Sequence, residues 1–195
     1  VPHLRSRTPA LMCFSPEADL VAGIVIGVIG VDAFRHVRSP RERPLAALPI
    51  VFAFHQLIEV VVWRGLQGHV DSGVWHAAAW LYLAVAFGVV PVLVPFAVAA
   101  LEPEEHRARA RSFVLLGALV AAVLMYAVVR GPVEARLEGH HIAYSVGLWH
   151  GGVVVALYVV ATTGSMLMSS LRYVRWVGLV NLVAVALLAW LNASG

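Results

Sequence analysis

Residues 44–63 read PLAALPIVFAFHQLIEVVVW, a stretch of twenty that is apolar except for His55, Gln56 and Glu59. A hydrocarbon core of roughly 30 Å is crossed by about 20 apolar residues in a helix, so the stretch predicts a membrane-spanning helix. His55 and Glu59 stand four residues apart and share one face of that helix. Ionisable groups at such depth are costly against lipid. The pair is therefore expected to face protein, water, a metal or a substrate, and it is the first candidate site.

The rest of the chain repeats the apolar pattern. Of its 195 residues, 61% are hydrophobic and 13% are charged, and the mean hydropathy is +0.83. A soluble domain averages about 25% charged residues, which excludes an ordinary soluble enzyme. Further apolar segments are expected at about Ala18–Phe34, Val74–Leu101, Ser112–Val129, Ile142–Gly164 and Val174–Leu191. The predicted fold class is all-α: a polytopic transmembrane bundle of about six helices. Ser15-Pro16-Glu17 supplies an N-cap hydroxyl, a proline at the first helical position and an acid in the first turn, so it reads as a helix start. Pro91 and Pro95 predict a kink in the third helix. Gly23/Gly27 and Gly147/Gly151 have the small-xxx-small spacing that lets helix backbones approach in lipid. The six tryptophans read mostly as interfacial anchors.

The cations, all arginine, fix an orientation. Nine (Arg35, Arg38, Arg41, Arg43, Arg107, Arg109, Arg111, Arg172 and Arg175) fall in or beside the connections on one side. Three (Arg64, Arg130 and Arg136) fall on the other, and Arg5 and Arg7 in the N-terminal stretch oppose the bias where that stretch is present. The positive-inside rule then puts both termini outside the cytoplasm, and the expected localisation is the cell membrane, multi-pass. The arginines read as topology signals, so no nucleic-acid partner is expected. The partners expected are the lipid bilayer and either a second copy of the chain or another membrane protein.

With that topology, His55, Glu59, His76, His150 and Cys13 can converge in the outer half of the bilayer. His150 would lie about 12 Å into the fifth helix at 1.5 Å per residue. Imidazoles with a carboxylate suit zinc, iron or copper. The first functional expectation is thus an outer-half His/Glu site for a transition metal, with His55, Glu59 and His150 as ligands and Cys13 and His76 in reserve. The second is a proton-coupled transporter of a small molecule or ion using His55 and Glu59. The third is a non-catalytic scaffold or accessory subunit. Enzymatic activity is left open, because phosphate loops, nucleophile elbows and zinc knuckles are absent.

The segment MCFSPEADLVAGIVIGVIGVDAFRHV, together with His55-Gln56, Glu59, Trp63, Trp80-Leu81-Tyr82 and the Pro91/Pro95 segment, resembles an uncharacterised family of multi-pass membrane proteins common in actinobacteria, whose members begin Met-Cys-Phe-Ser. The resemblance implies an integral membrane protein starting at Met12. Residues 1–12 then read as an extension or alternative start, and residues 13–195 as a single domain. Removal of Met12 would leave Cys13 with a free amine beside its thiol, a pair able to chelate a metal.

Overall fold

The computed structural model describes residues 15–138, 141–148 and 150–194. Six helices run through them: α1 (Pro16–Arg35), α2 (Arg43–Leu66), α3 (Ser72–Leu101), α4 (Glu104–Arg130), α5 (Gly151–Leu167) and α6 (Arg172–Ser194). α1 opens as its sequence directs. The Ser15 hydroxyl accepts from the Ala18 amide at 3.1 Å, and Pro16, Glu17 and Asp19 fill the first turn. α2, α3 and α4 are each long and apolar enough to cross a membrane.

The expectation of an all-α chain needs correction between α4 and α5. Residues 142–148 are not the start of the fifth helix. An antiparallel hairpin stands there, β1 (Glu134–Glu138) with β2 (His141–Ser145), in which Ala135 pairs with Tyr144 and Leu137 with Ile142. The reason is a change of period. In EARLE and HIAYS, Ala135, Leu137, Ile142 and Tyr144 take one face of the hairpin, and Glu134, Arg136, Glu138 and His141 the other. Ile142 is buried against Val62, Trp63 and Ala79, and Ala135, Tyr144 and Trp75 complete that cluster. The hairpin therefore covers the ends of α2 and α3. His150 has a left-handed backbone (φ 57°), which a mid-helix residue does not adopt, and α5 begins just after it.

Glycines set the contact between α1 and α2. A Cβ on Gly23 would lie 2.9 Å from Leu57, and one on Gly30 would lie 2.9 Å from the Ile50 amide. Of the second pair, Gly147 has nothing within 4 Å of such an atom among the described residues and Gly151 meets only its own neighbour Leu148 at 3.7 Å, so this pair brings no helices together.

The proline segment of α3 deforms the helix through its missing donors. Residues Ala84–Val89 form a π-helical turn, in which the Val90 amide reaches back five residues to the Val85 carbonyl. Next in that register is Pro91, which has no N–H. The Ala86 carbonyl is thus left over, and the Tyr158 hydroxyl of α5 donates to it at 3.0 Å. Pro95 likewise has no amide for the Pro91 carbonyl. Gly117 of α4 covers that oxygen so closely that a Cβ there would come within 1.8 Å of it. α5 has its own π-turn, Val160–Gly164, where Thr163 accepts from Asn181 of α6 at 2.8 Å. Leu48, Val94 and Ala97 form the core where α2 meets α3, with Met166 of α5 packed on it.

Candidate functional site

α2 contributes His55, Glu59 and Trp63, spaced by four, so all three stand on one stripe of the helix. α1 runs antiparallel beside it, as the exposed Glu17–Arg64 ion pair at 3.0 Å shows. That alignment sets Asp19, which is 8% exposed, near the Trp63 indole. Asp19 and Glu59 lie close enough to interact electrostatically.

α3 supplies the central side chain. The Tyr82 ring stacks on the His55 imidazole with centroids 3.9 Å apart, and its hydroxyl interacts with the Glu59 carboxyl. The hairpin closes the group, since Tyr144 stacks on Tyr82 at 4.5 Å, its plane tilted by only 13°. Five titratable side chains from α1, α2, α3 and β2 thus form a contiguous group under the hairpin. Two of its atoms, His55 Nε2 and Tyr144 Oη, are buried without a hydrogen-bond partner among the described residues. Such atoms are rare in native proteins and call for an explanation. Burial first, then the charge of Glu59, raises the Tyr144 hydroxyl above its ordinary value, so it remains a proton donor.

The other expected ligands stand elsewhere. His76 is exposed, stacks on Trp75 at 3.7 Å and has Nδ1 2.6 Å from the Ser72 carbonyl. His150 is exposed at the start of α5, not a third of the way across the bundle as a helix from Ile142 would place it. Cys13 lies outside the described residues, as do His140 and Trp149. Among the described residues no three of His, Cys, Asp and Glu gather closely enough to hold a metal ion. Trp63 and Trp75 belong to the interior under the hairpin, whereas Trp80, Trp176 and Trp190 are exposed, as anchors would be.

Sequence reading missed Tyr82 and Tyr144 as site residues. Tyr144 had a usable signal in the alternation of HIAYS. Tyr82 had none, because a tyrosine in an apolar helix reads equally well as core or interface.

A second polar group lies at the opposite end of the bundle. Glu102, 2% exposed, accepts from the Ser169 hydroxyl at 2.5 Å and from the Ser170 amide at 2.9 Å. Burial alone would raise its carboxyl. The donors from Ser169 and Ser170, with His106 nearby, outweigh that and hold it below the ordinary carboxylate value. These bonds tie the α3–α4 connection to the α5–α6 connection.

No curated protein and no solved structure matches the chain. A family model described as a family of unknown function (DUF6629) matches residues 12–193. The match spans nearly the whole sequence, and the chain belongs to that family.

Proposed function

We propose that this chain is a multi-pass protein of the cell membrane that couples uptake or release of a proton at Asp19 and Glu59 to movement of a small solute or ion. Both termini and the hairpin face outward in this reading. Three features support the membrane placement: α2, α3 and α4 have spanning length, the arginines in and beside the connections favour one side nine to three, and the outer surface is apolar. On α1 alone, Val21, Ile24, Val25, Val28 and Ile29 are all more than half exposed. A soluble protein rarely exposes so continuous a patch, whereas lipid would cover it.

The observation that carries the functional reading is the contiguous set Asp19–Glu59–Tyr82–His55. Two carboxyls close enough to interact electrostatically, both largely screened from water, hold one negative charge more readily than two. Tyr82 can donate to the remaining charge, and His55 offers the unpartnered Nε2 as the next proton acceptor. Intramembrane His and Glu in such series serve as proton relays.

The test is proton flux into liposomes containing the purified protein and a pH-sensitive dye. Flux under an imposed gradient, lost in Glu59→Gln and in His55→Ala with the folded protein intact, supports the relay. Its absence in the wild type, tested with and without candidate solutes, rejects the relay. The first expectation from spacing, a transition metal on His55 and Glu59, has its own readout. A stoichiometric metal found by plasma mass spectrometry and missing from His55→Ala would replace the proton reading.

A further inference from the structure

A groove of roughly 610 Å³ opens on the arginine-rich end of the molecule, between the start of α2, the end of α3 and the first half of α4. Its wall has two levels. Arg41, Arg107 and Arg111 form one, and Phe96, Val114 and Leu115 form the other. On α4 the order is set by helical spacing. Arg107, Arg111 and Leu115 are spaced by four, and Val114 lies three beyond Arg111, so the four share a face. Leu115 lies one turn, about 6 Å, beyond Arg111 towards the apolar middle.

Among the described residues, no carboxylate lines the groove. Arg107 is held by Glu104 at 3.1 Å, while neither Arg41 nor Arg111 has an acidic partner among the described residues. Leu115 is 67% exposed and Phe96 49% exposed, so the apolar level is open along its length. A cationic rim directly above an apolar slot complements a molecule with an anionic head and a hydrocarbon tail.

We propose that this groove binds an anionic phospholipid, with its phosphate at Arg41 and Arg111 and an acyl chain along Phe96, Val114 and Leu115. The inference rests on the membrane placement proposed above, and on no part of the proton relay. Basic pockets between helices on the cytoplasmic side are a recognised form of lipid recognition. α4 is also long enough for it. Its 27 residues span about 40 Å, so a first turn or two can stand at headgroup level while the remainder crosses the hydrocarbon.

The experiment is native mass spectrometry of the full chain, released from detergent and titrated with dioleoyl-phosphatidylglycerol or dioleoyl-phosphatidylcholine. The expected result is at least tenfold stronger retention of the anionic lipid. Arg41→Gln and Arg111→Gln should each lower that retention about fivefold, while Arg130→Gln, at the other end of α4, leaves it unchanged. Circular dichroism and gel-filtration profiles identical to wild type establish that the variants fold. Equal retention of the two lipids, or full retention by the Arg41→Gln/Arg111→Gln double variant, overturns the site. So does displacement of the lipid by glycerol phosphate at equal concentration, which would mark a site for soluble phosphates. Carbonate washing of membranes separates this failure from that of the broader reading. A chain released without detergent overturns the membrane placement and the lipid site together, whereas a retained chain without lipid preference overturns the lipid site alone.

Discussion

Tyr144 illustrates how a single side chain can carry separable effects. Its ring lies on Tyr82 and packs with the cluster that anchors the hairpin, while its hydroxyl is buried without a partner among the described residues. Removing the ring should cost about 3 kcal/mol, as for a buried aromatic replaced by alanine. Removing only the hydroxyl deletes an unsatisfied polar group and should be neutral or stabilising by about 1 kcal/mol. Thermal melts of Tyr144→Ala and Tyr144→Phe in detergent check both expectations, and a large loss in Tyr144→Phe would show that the hydroxyl has a bound partner. Glu102 gives the pH dependence. Its carboxyl is held below the ordinary value near 4.5, so its stabilisation is present above that pH and is lost as pH falls through the lower folded value. Melting temperature should therefore decline below about pH 4.5 more steeply in the wild type than in Glu102→Gln. That variant should also lose about 1.5–3 kcal/mol at pH 7, the range for a hydrogen bond to a charged group. Of these residues, His55 and Glu59 were legible because ionisable groups stand out in an apolar run. Glu102 was hidden among the charges of its loop, because nothing in Leu101-Glu102-Pro103-Glu104 says which acid will be buried.

At the scale of elements, the helices were readable and their connections less so. Hydropathy locates α2, α3 and α4 because lipid-length apolar runs have few alternative explanations. The start of α5 was misread because Ile142, Ala143, Tyr144 and Val146 extend the apolar run of the helix backwards, and hydropathy averages away the period-two alternation that makes them a strand. The prolines of α3 predicted a deformation, but not the donor that repairs it. That donor is Tyr158, 72 residues away, and only the tertiary fold brings it to the Ala86 carbonyl. Tyr158→Phe should leave this carbonyl unsatisfied at a cost of about 1–3 kcal/mol. The expected signature is faster hydrogen exchange around the π-turn of α3, measured against the unchanged far end of α4. Equal exchange in the two proteins would mean that water or a shifted helix register serves the carbonyl equally well.

The whole molecule is asymmetric from end to end, and the asymmetry links the proposals. Among the described residues, one end has the hairpin, the carboxyl pair and three arginines; the other has nine arginines, the Glu102 tie and the groove. If the arginine-rich end is cytoplasmic, the hairpin must be reachable from outside an intact cell. Cys13 is the sole cysteine, so Cys13→Ser provides a background in which a new thiol reports only its own position. Glu138→Cys, on the exposed face of β1, should be labelled in whole cells by a membrane-impermeant maleimide. Ser39→Cys, between α1 and α2, should be labelled only after the cells are opened. The reverse pattern would place the carboxyl pair in the inner half and the arginines outside, against the charge bias of the connections. It would also move the groove to the outer leaflet, where less anionic lipid is expected to be available to it. Labelling of both positions in intact cells would mean that the ends are not separated by a bilayer, and the proton relay would then have no gradient to use.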